Sequence, residues 1–413
     1  MRARAVVAVV VAAGCMAPTT AAAGPAVRAR AAADAPPAPF NGRISFSSFR
    51  TSETGSVGDI FSFNADGTDL RQLTTDPRND AQSDWSPDGR DLVYRIARPD
   101  SDVGLEVARM PAAGGEREVL TSTPEPDSST QPSWLADGSG ILFRRSTSGN
   151  RIASIWSMGL HGSEPVLRFD PDGPQWYPAF SPDMRRVLFA TTMSPDDDSD
   201  RGVFTMNADG TGLTALFDVA GAFDSAPAWS PDGSRIAFQS TADVAGGNPE
   251  GDSEIWVMDA DGSDPVQLTF NALHDEGPAW SPDGTMFVYT SGADDLHGDI
   301  HVMTAGGAHL LQLTDYAGRD ESPDWQAIPA PADAGERCAD ATPIGAGVHD
   351  VRAGRFASCT DAVRLAKRWY ARGMPGWLRW YRAQVEDFGG TLRVELRLRR
   401  RPHALAAAFV VWR

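Results

Sequence analysis

The sequence of 413 residues contains one lysine, three cysteines and no apolar run long enough to cross a bilayer. Three cysteines cannot supply the dense disulfide framework of a small secreted scaffold. The absence of a long apolar run predicts a protein without a transmembrane span. Lys367 is the only lysine, so arginine supplies almost all of the positive charge. We attribute that bias to high-GC codon usage rather than to function.

Positive charge is also scarce in the main body of the chain. Residues 40–330 contain 18 basic and 46 acidic side chains, a net charge of −28, whereas residues 331–413 contain 15 basic and 8 acidic side chains, a net charge of +7. This contrast predicts two separate structural units. Because binding to phosphates requires a cationic surface, the acidic body argues against a nucleic-acid partner.

The first residues are typical of an export signal. Two arginines precede the short apolar run Ala5–Ala13, and small residues before Gly24 predict a signal peptide over residues 1–23. The alternative is a lipoprotein signal that ends at residue 14, after which Cys15 becomes lipidated and anchors the chain. Residues 24–39 are rich in Ala and Pro and are predicted to form a flexible tether. Both alternatives predict a protein outside the cytoplasm.

One six-residue sequence, AWSPDG, occurs at Ala228–Gly233 and again at Ala279–Gly284. In such a turn Pro sets φ, Asp bonds its own backbone and Gly adopts the positive φ. Related turns follow aromatic residues that recur every 45 to 51 positions. The aromatic residues are Trp85, Trp134, Phe180, Trp229, Trp280 and Trp325. The chain is therefore built from repeated units, and each aromatic side chain is expected to fill the space between neighbouring units.

Each unit contains four short strands separated by Asp-Gly or Pro-Asp turns. Glu254–Met258 is an example of the third strand and Gln267–Thr269 of the fourth. Four strands per unit predict a β-propeller blade, and six copies of the third strand predict six blades. The chain enters at a second strand, Arg43–Ser47, and leaves after a lone first strand, Pro323–Gln326. Pairing of these strands closes a ring without free edges, so we predict an all-β, six-bladed β-propeller over residues 40–328.

The repeats resemble the WD40-like PD repeats of the TolB propeller family. The resemblance covers residues 40–328 and rests on the Trp-Ser-Pro-Asp-Gly turn, on Ile255–Gly262 and on the Gln-Leu-Thr strand. It implies an extracytoplasmic propeller that mainly binds other proteins. The best-known member holds a peptidoglycan-associated lipoprotein and colicins at the propeller mouth. TolB proper also has an α/β domain before its propeller, whereas only the tether precedes the repeats here.

Acidic residues precede the aromatic residue of several repeats. The position five residues before it holds Asp80, Ser129, Gln175, Asp224, Asp275 and Asp320. The loop entering an innermost strand lies at the channel mouth of a propeller, so these side chains predict an acidic ring that favours a cation or a basic peptide. Alternatively, each Asp caps its own turn. The candidate partner-binding residues are Asp80, Trp176, Asp224, Asp275, Glu276, Asp320 and Glu321.

The remaining residues predict a small second domain. Residues 329–336 are a linker, and residues 337–413 are predicted to form a basic α+β domain. Cys338 and Cys359 lie in this one segment of an exported chain, so we predict a disulfide between them.

Within this domain, Thr360 can cap a helix that runs to about Arg372. Leu392–Leu398 alternates leucine or valine with charged residues and predicts a strand with one basic face, with Ala406–Trp412 as a final strand paired to it. For the basic face there are two interpretations: it is solvated, or it docks on the propeller or on an anionic wall polymer.

These observations predict an exported, monomeric, non-enzymatic β-propeller scaffold that binds a protein or peptide partner of the cell envelope at the propeller mouth. No cofactor and no metal site are predicted, because the seven histidines are scattered without a zinc-binding pattern. The sequence lacks the Gly-x-Ser-x-Gly motif of a seryl peptidase. The alternative is a metal-dependent propeller hydrolase or lyase, which needs carboxylates and Asn or His from several blades around one ion in the axial channel.

Overall fold

A computed structural model gives the fold of the larger part of the chain. The predicted export signal, the possible lipidation site Cys15 and the predicted disulfide between Cys338 and Cys359 lie outside the described residues. In the part of the chain that is described, no helix has the length and apolar character needed to cross a membrane. The described residues are 39–51, 57–99, 104–124, 126–147, 152–163, 165–170, 173–192, 201–244, 246–294, 297–308, 311–331, 334–337, 348–354, 362–363, 365–366, 381–388, 391–398 and 401–412.

The fold is all-β and consists mainly of four-stranded antiparallel sheets, as in a β-propeller. Within the described residues there are six such sheets, ordered β24-β1-β2-β3, β4 to β7, β8 to β11, β12 to β15, β16 to β19 and β20 to β23. The strands of the first three of these sheets are β1 (Phe40–Ser48), β2 (Asp59–Asn64), β3 (Arg71–Gln72), β4 (Asp80–Trp85), β5 (Asp91–Ala97), β6 (Leu105–Pro111), β7 (Glu118–Val119), β8 (Ser128–Trp134), β9 (Gly140–Thr147), β10 (Ile152–Gly159), β11 (Val166–Phe169) and β24 (Asp320–Ile328).

The other three sheets repeat the same plan. Their strands are β12 (Gln175–Phe180), β13 (Arg186–Thr191), β14 (Gly202–Asn207), β15 (Thr214–Phe217), β16 (Asp224–Trp229), β17 (Arg235–Ser240), β18 (Glu254–Asp259), β19 (Val266–Gln267), β20 (His274–Trp280), β21 (Met286–Asp294), β22 (His297–Thr304) and β23 (Leu311–Gln312). The repeated aromatic residue always lies on the strand at one edge of its sheet, and a strand of two to four residues lies at the other edge.

The last strand of this series completes the first sheet. β24 pairs antiparallel with β1, and Trp325 lies opposite Ile44. The pairing predicted from the sequence between the lone first strand and the entering second strand is therefore confirmed. Gln326 adds a side-chain link, because its Oε1 accepts a hydrogen bond of 3.0 Å from the backbone N–H of Arg43. Residues almost 300 positions apart thus share one sheet.

The repeated aromatic side chains pack between consecutive sheets. Trp229 of β16 belongs to an apolar cluster with Leu188 and Val203 of the preceding sheet. The guanidinium of Arg186 lies 4.6 Å from the ring centroid of Trp229 and covers its outer side. Such a contact combines burial of a large apolar surface with a cation–π attraction. The aromatic residue of the repeat therefore holds neighbouring sheets together.

The repeated turn has a local cause that explains its sequence. In the turn after β16, the Asp232 carboxylate accepts hydrogen bonds from the N–H of Ser234 and from the hydroxyl of Ser230. The same Ser230 hydroxyl accepts the N–H of Arg235 at 2.9 Å. Gly233 has φ of +69°, which glycine adopts without steric cost. Each residue of the turn thus satisfies a backbone requirement.

A five-stranded sheet follows the repeats. Its order is β25-β26-β29-β28-β27, and its strands are β25 (Ala334–Arg337), β26 (Val348–Gly354), β27 (Tyr381–Phe388), β28 (Thr391–Leu398) and β29 (Arg401–Trp412). It contacts the first sheet through an apolar cluster that includes Phe40, Ile328 and Phe388. The fully buried Gln326 donates from Nε2 to the carbonyl oxygens of Gly89, at 2.7 Å, and Phe388, at 2.9 Å.

Two sequence predictions concern this last region. The predicted helix from Thr360 to about Arg372 is represented, in the described residues, by helical positions 362–363 and 365–366. The predicted pairing of the last two strands is confirmed, because β28 pairs antiparallel with β29. The basic face of β28 is partly neutralised, since Glu395 lies 3.4 Å from Arg393 and 2.8 Å from Arg397.

Candidate functional site

An irregularity recurs in the strand that carries the aromatic residue. Three residues before that aromatic residue, each of the six strands has a positive φ, and the register of pairing shifts at the same place. The residues are Gln82 (φ 57°), Gln131 (51°), Tyr177 (53°), Ala226 (46°), Gly277 (58°) and Ser322 (51°). Such a β-bulge adds one residue to the strand and turns its side chains out of the regular alternation.

All six of these left-handed residues line a single cavity of about 550 Å³. Because they come from six different sheets, the cavity corresponds to the axial channel of a propeller. Its volume lies in the range of ligand-binding sites. The charged residues in its lining are Asp84, Arg201, Glu276, Arg319, Glu321 and Asp324. With all of them ionised, four acids and two arginines give the cavity a negative balance.

The four aspartates proposed from the sequence lie behind the cavity wall. Asp80, Asp224, Asp275 and Asp320 each have 0% of their surface exposed, and none of them lines the cavity. They lie two residues before the left-handed residue of their strand. Their described surroundings are polar. The carboxylate of Asp224 accepts a hydrogen bond of 2.5 Å from the hydroxyl of Ser240. Asp275 accepts a hydrogen bond of 2.7 Å from the side-chain amide of Asn271, and Asp320 accepts one of 2.5 Å from the guanidinium of Arg50.

Burial raises the pKa of three of these aspartates. It raises the pKa of Asp80 to about 7, and it also raises the pKa of Asp275 and Asp320 above the ordinary value. The nearest arginine with an ion pair to Asp80 is Arg117, whose Nη1 lies 3.9 Å from the carboxylate.

The two glutamates proposed from the sequence are accessible and share one arginine. Glu276 of β20 and Glu321 of β24 both line the cavity, and Arg319 lies between them. The Arg319 guanidinium is 2.7 Å from Glu321 and 3.6 Å from Glu276. The three side chains are each between 18% and 29% exposed. They connect two neighbouring sheets and present a compact charged group to solvent.

Trp176, also proposed from the sequence, lies beside a second arginine. The Arg201 guanidinium stacks 3.5 Å from the Trp176 ring centroid and 4.3 Å from that of Phe223. Its Nη1 also donates to the hydroxyl of Ser225 at 3.2 Å. The adjacent Tyr177 is 36% exposed and lines the cavity. Trp176 itself does not line the cavity. We call the surface formed by Trp176, Tyr177, Arg201, Glu276, Arg319 and Glu321 the mouth.

Two further aspartates that line the cavity were missed by sequence reasoning. Asp84 and Asp324 precede their tryptophans directly, on β4 and β24. Asp324 Oδ2 accepts the N–H of Trp85 at 2.8 Å, and Asp84 Oδ2 accepts the N–H of Trp134 at 2.6 Å. Each carboxylate therefore bonds the next sheet around the ring. The sequence did contain a sign of these two sites, because this repeat position holds an acidic residue in only two repeats. The other four repeats have Ser133, Ala179, Ala228 and Ala279 there.

These two carboxyl groups influence each other. Burial raises the pKa of Asp324 to about 6. Burial and the nearby Asp324 charge raise the pKa of Asp84 well above its ordinary value. Within the described residues, no group of three or more His, Cys, Asp or Glu side chains is arranged to hold a metal ion. The interpretation as a metal-dependent hydrolase or lyase therefore has no donor set in this part of the chain to support it.

The sheets and the cavity are those of a β-propeller protein with an open axial channel. Residues 170–329 match the family described as the TolB beta propeller domain. This stretch of the chain is therefore similar to a TolB β-propeller domain.

Two relatives align with parts of the chain. An uncharacterized protein from Agrobacterium fabrum is 30% identical over 168 residues, which cover 37% of this chain and 52% of that protein. The Tol-Pal system protein TolB from Desulfosudis oleivorans is 42% identical over 67 residues, which cover 16% of this chain and 14% of that protein. The chain thus matches about half of the first relative and a smaller part of the second.

Two solved structures share the fold. TolB from Acinetobacter baumannii has a TM-score of 0.55 and 20% identity, covering 69% of this chain and 66% of its own. The putative TolB from Agrobacterium tumefaciens has a TM-score of 0.51 and 22% identity, covering 68% of this chain and 92% of its own. At this level of identity the likeness concerns the fold alone.

Proposed function

We propose that the protein is an exported, non-enzymatic β-propeller scaffold that binds a protein or peptide partner of the cell envelope at the mouth. The observation that carries this proposal is the cavity of about 550 Å³ to which six sheets each contribute one left-handed residue. Repeats that close around such an opening present loops and side chains from several blades to one ligand. A TolB-like domain makes a protein partner the first candidate.

The proposal includes a division of the chain. Residues 1–23 are the export signal, or residues 1–14 if Cys15 is lipidated, and residues 24–39 are the tether. The six four-stranded sheets of residues 40–328 are the six blades, residues 329–336 are the linker, and residues 337–413 are the basic domain closed by a disulfide between Cys338 and Cys359. The start of β1 at Phe40 supports the first boundary of the propeller.

The residues proposed to contact the partner are those that remain accessible. Glu276, Glu321 and Arg319 offer charge of both signs, and Trp176 and Tyr177 offer aromatic surface. Aromatic residues and arginine are enriched at the centre of protein interfaces. Asp80, Asp224, Asp275 and Asp320 lie behind this surface, and their role in the proposal is to hold the strands and loops that form the mouth.

Affinity capture of envelope proteins tests this function. The double variant Glu276→Gln, Glu321→Gln removes two negative charges from the mouth and keeps polar groups beside Arg319. We expect it to reduce the amount of a specifically captured partner by about tenfold, because charged groups at an interface fix partner and register. Glu250→Gln is the matched control, since Glu250 is exposed in a loop away from the cavity lining.

Capture is measured by quantitative mass spectrometry of the bound proteins, and thermal melting checks the fold of every variant. Equal capture by the double variant and the wild type would contradict binding at the mouth.

A further inference from the structure

The carboxylates of Asp84 and Asp324 form a pair in the wall of the cavity. They lie on β4 and β24, the first strands of adjacent sheets, and both are partly exposed to the cavity. In each case Oδ2 is used by a backbone N–H of the next sheet. Among the described contacts, the second carboxylate oxygen of each has no side-chain donor. The pair therefore has acceptor capacity left for a ligand.

The arginines of the cavity are engaged elsewhere. Arg319 pairs with Glu276 and Glu321, and Arg201 stacks on Trp176 and bonds Ser225. No ion pair between described residues includes Asp84 or Asp324. Two neighbouring carboxylates without a cation repel each other, and the Asp324 charge contributes, after burial, to the raised pKa of Asp84. A positive group entering the cavity relieves that repulsion.

A second observation comes from neutral groups elsewhere in the cavity lining, of which Thr290 lies opposite Glu276 of the mouth. Thr290 lines the cavity, only 5% of it is exposed, and its Oγ1 has no hydrogen-bond partner among the described residues. The buried Oε1 of Gln82, which also lines the cavity, likewise lacks a partner there. An unbonded buried polar atom costs free energy unless a ligand or water satisfies it. Both atoms can accept a hydrogen bond, as the two carboxylates can.

We propose that the cavity takes up an arginine side chain of the partner, with the guanidinium held between Asp84 and Asp324. A guanidinium is planar, always charged and carries five N–H donors. The two carboxylates accept hydrogen bonds from these donors, and Gln82 and Thr290 are neutral acceptors elsewhere in the lining of the cavity. Hydrogen bonds between guanidinium and carboxylate are among the stronger ones in proteins. This inference rests on the proposed function, because it identifies the chemistry of the group that enters past the mouth.

Two matched peptides test the inference on the full mature chain. The probes are acetyl-Gly-Arg-Gly-amide and its citrulline counterpart, which has nearly the same shape and no charge. Isothermal titration calorimetry at neutral pH and low salt is expected to show about tenfold tighter binding of the arginine peptide, with a Kd of about 1 mM or lower. Equal affinities, or no binding of the arginine peptide up to about 10 mM, would overturn the inference.

The variants Asp84→Asn and Asp324→Asn, alone and combined, locate the site. Asn keeps an acceptor oxygen for the N–H of Trp134 or Trp85, so the sheets remain linked. We expect the double variant to bind the arginine peptide no more tightly than the citrulline peptide, with partial loss in each single variant. Glu250→Gln is the control and should bind like the wild type. Undiminished binding of the arginine peptide by the folded double variant would overturn the inference.

Failure of this inference is distinguishable from failure of the proposed function. Suppose that the double variant Glu276→Gln, Glu321→Gln no longer captures the envelope protein, while the protein binds the arginine and citrulline peptides with equal affinity. The mouth then binds a partner that inserts no arginine. If the peptides bind as expected and capture is unaffected by the mouth variant, the cavity recognises arginine but the mouth is not the contact surface. The two experiments therefore test separate statements.

Discussion

At the scale of single residues, Asp324 makes a hydrogen bond that links two sheets, but its negative charge is buried and therefore lowers the stability of the folded protein. Its carboxylate accepts the N–H of Trp85 and links the last strand to the next sheet. Burial raises its pKa from 3.8 to about 6. The folded protein therefore binds this proton more tightly than the unfolded chain does. Stability decreases as the pH rises from about 4 to about 6 and remains lower above that window.

We predict that Asp324→Asn removes this part of the pH dependence. Asn retains an acceptor for Trp85 and carries no charge, so the variant should be more stable than the wild type at pH 7, on the order of 1 kcal/mol, and nearly equal to it at pH 4. Urea unfolding at several pH values measures the effect. A variant whose stability follows the wild-type pH profile unchanged would contradict the raised pKa of Asp324.

The sequence predicted part of this residue-scale picture. It identified Glu276 and Glu321, which line the cavity, and Asp80, Asp224, Asp275 and Asp320, which are buried behind it. The difference arises because these aspartates were assigned to the loop that enters the innermost strand, whereas they lie at the start of that strand, before a bulge that changes which positions face the channel. Asp84 and Asp324 were overlooked because they are adjacent to the tryptophans and belong to only two of the repeats.

At the scale of elements, the left-handed bulge shapes the channel wall. Gly277 occupies this position in β20 with φ of +58°. A Cβ added there meets no atom within 4 Å, so any cost of substitution comes from the backbone conformation rather than from a clash. β-branched residues adopt positive φ with particular difficulty.

We predict that Gly277→Val destabilises the protein by about 1–3 kcal/mol, because valine is strained at this φ. Gly277→Ala should cost less, about 1 kcal/mol. Gly306→Val is the control, since a Cβ at Gly306 also meets open space and its φ lies outside the left-handed region. Thermal or denaturant unfolding compares the three variants. Equal effects at Gly277 and Gly306 would show that the bulge conformation is not the cause.

The elements themselves could be predicted from the sequence, whereas the bulge could not. Turns such as Ser230–Gly233 and the aromatic residues repeat in identity, because one local geometry requires the same residue types each time. The left-handed position holds Gln, Gln, Tyr, Ala, Gly and Ser in the six strands. No shared residue type identifies the left-handed position, because the strand pairing of the whole sheet, rather than the residue itself, imposes the positive φ.

At the scale of the whole molecule, the join between the last strand and the first is the main structural feature. β24 pairs with β1, and the buried Gln326 bonds Arg43, Gly89 and Phe388. The offset of the repeats predicted the strand pairing. The contact of Gln326 with the five-stranded sheet could not be predicted, because it depends on the arrangement of two regions that share no repeat.

The central statement of this account is that a partner binds at the mouth of the channel. Photo-cross-linking tests it most directly, with p-benzoylphenylalanine placed at Tyr177 in the mouth or at Leu311 on the edge strand β23. Tyr177 lines the cavity and is aromatic already, whereas Leu311 is 41% exposed outside the lining. The account predicts a cross-linked envelope protein from position 177 and none from position 311. A partner captured from position 311 alone, or from neither position, would contradict it.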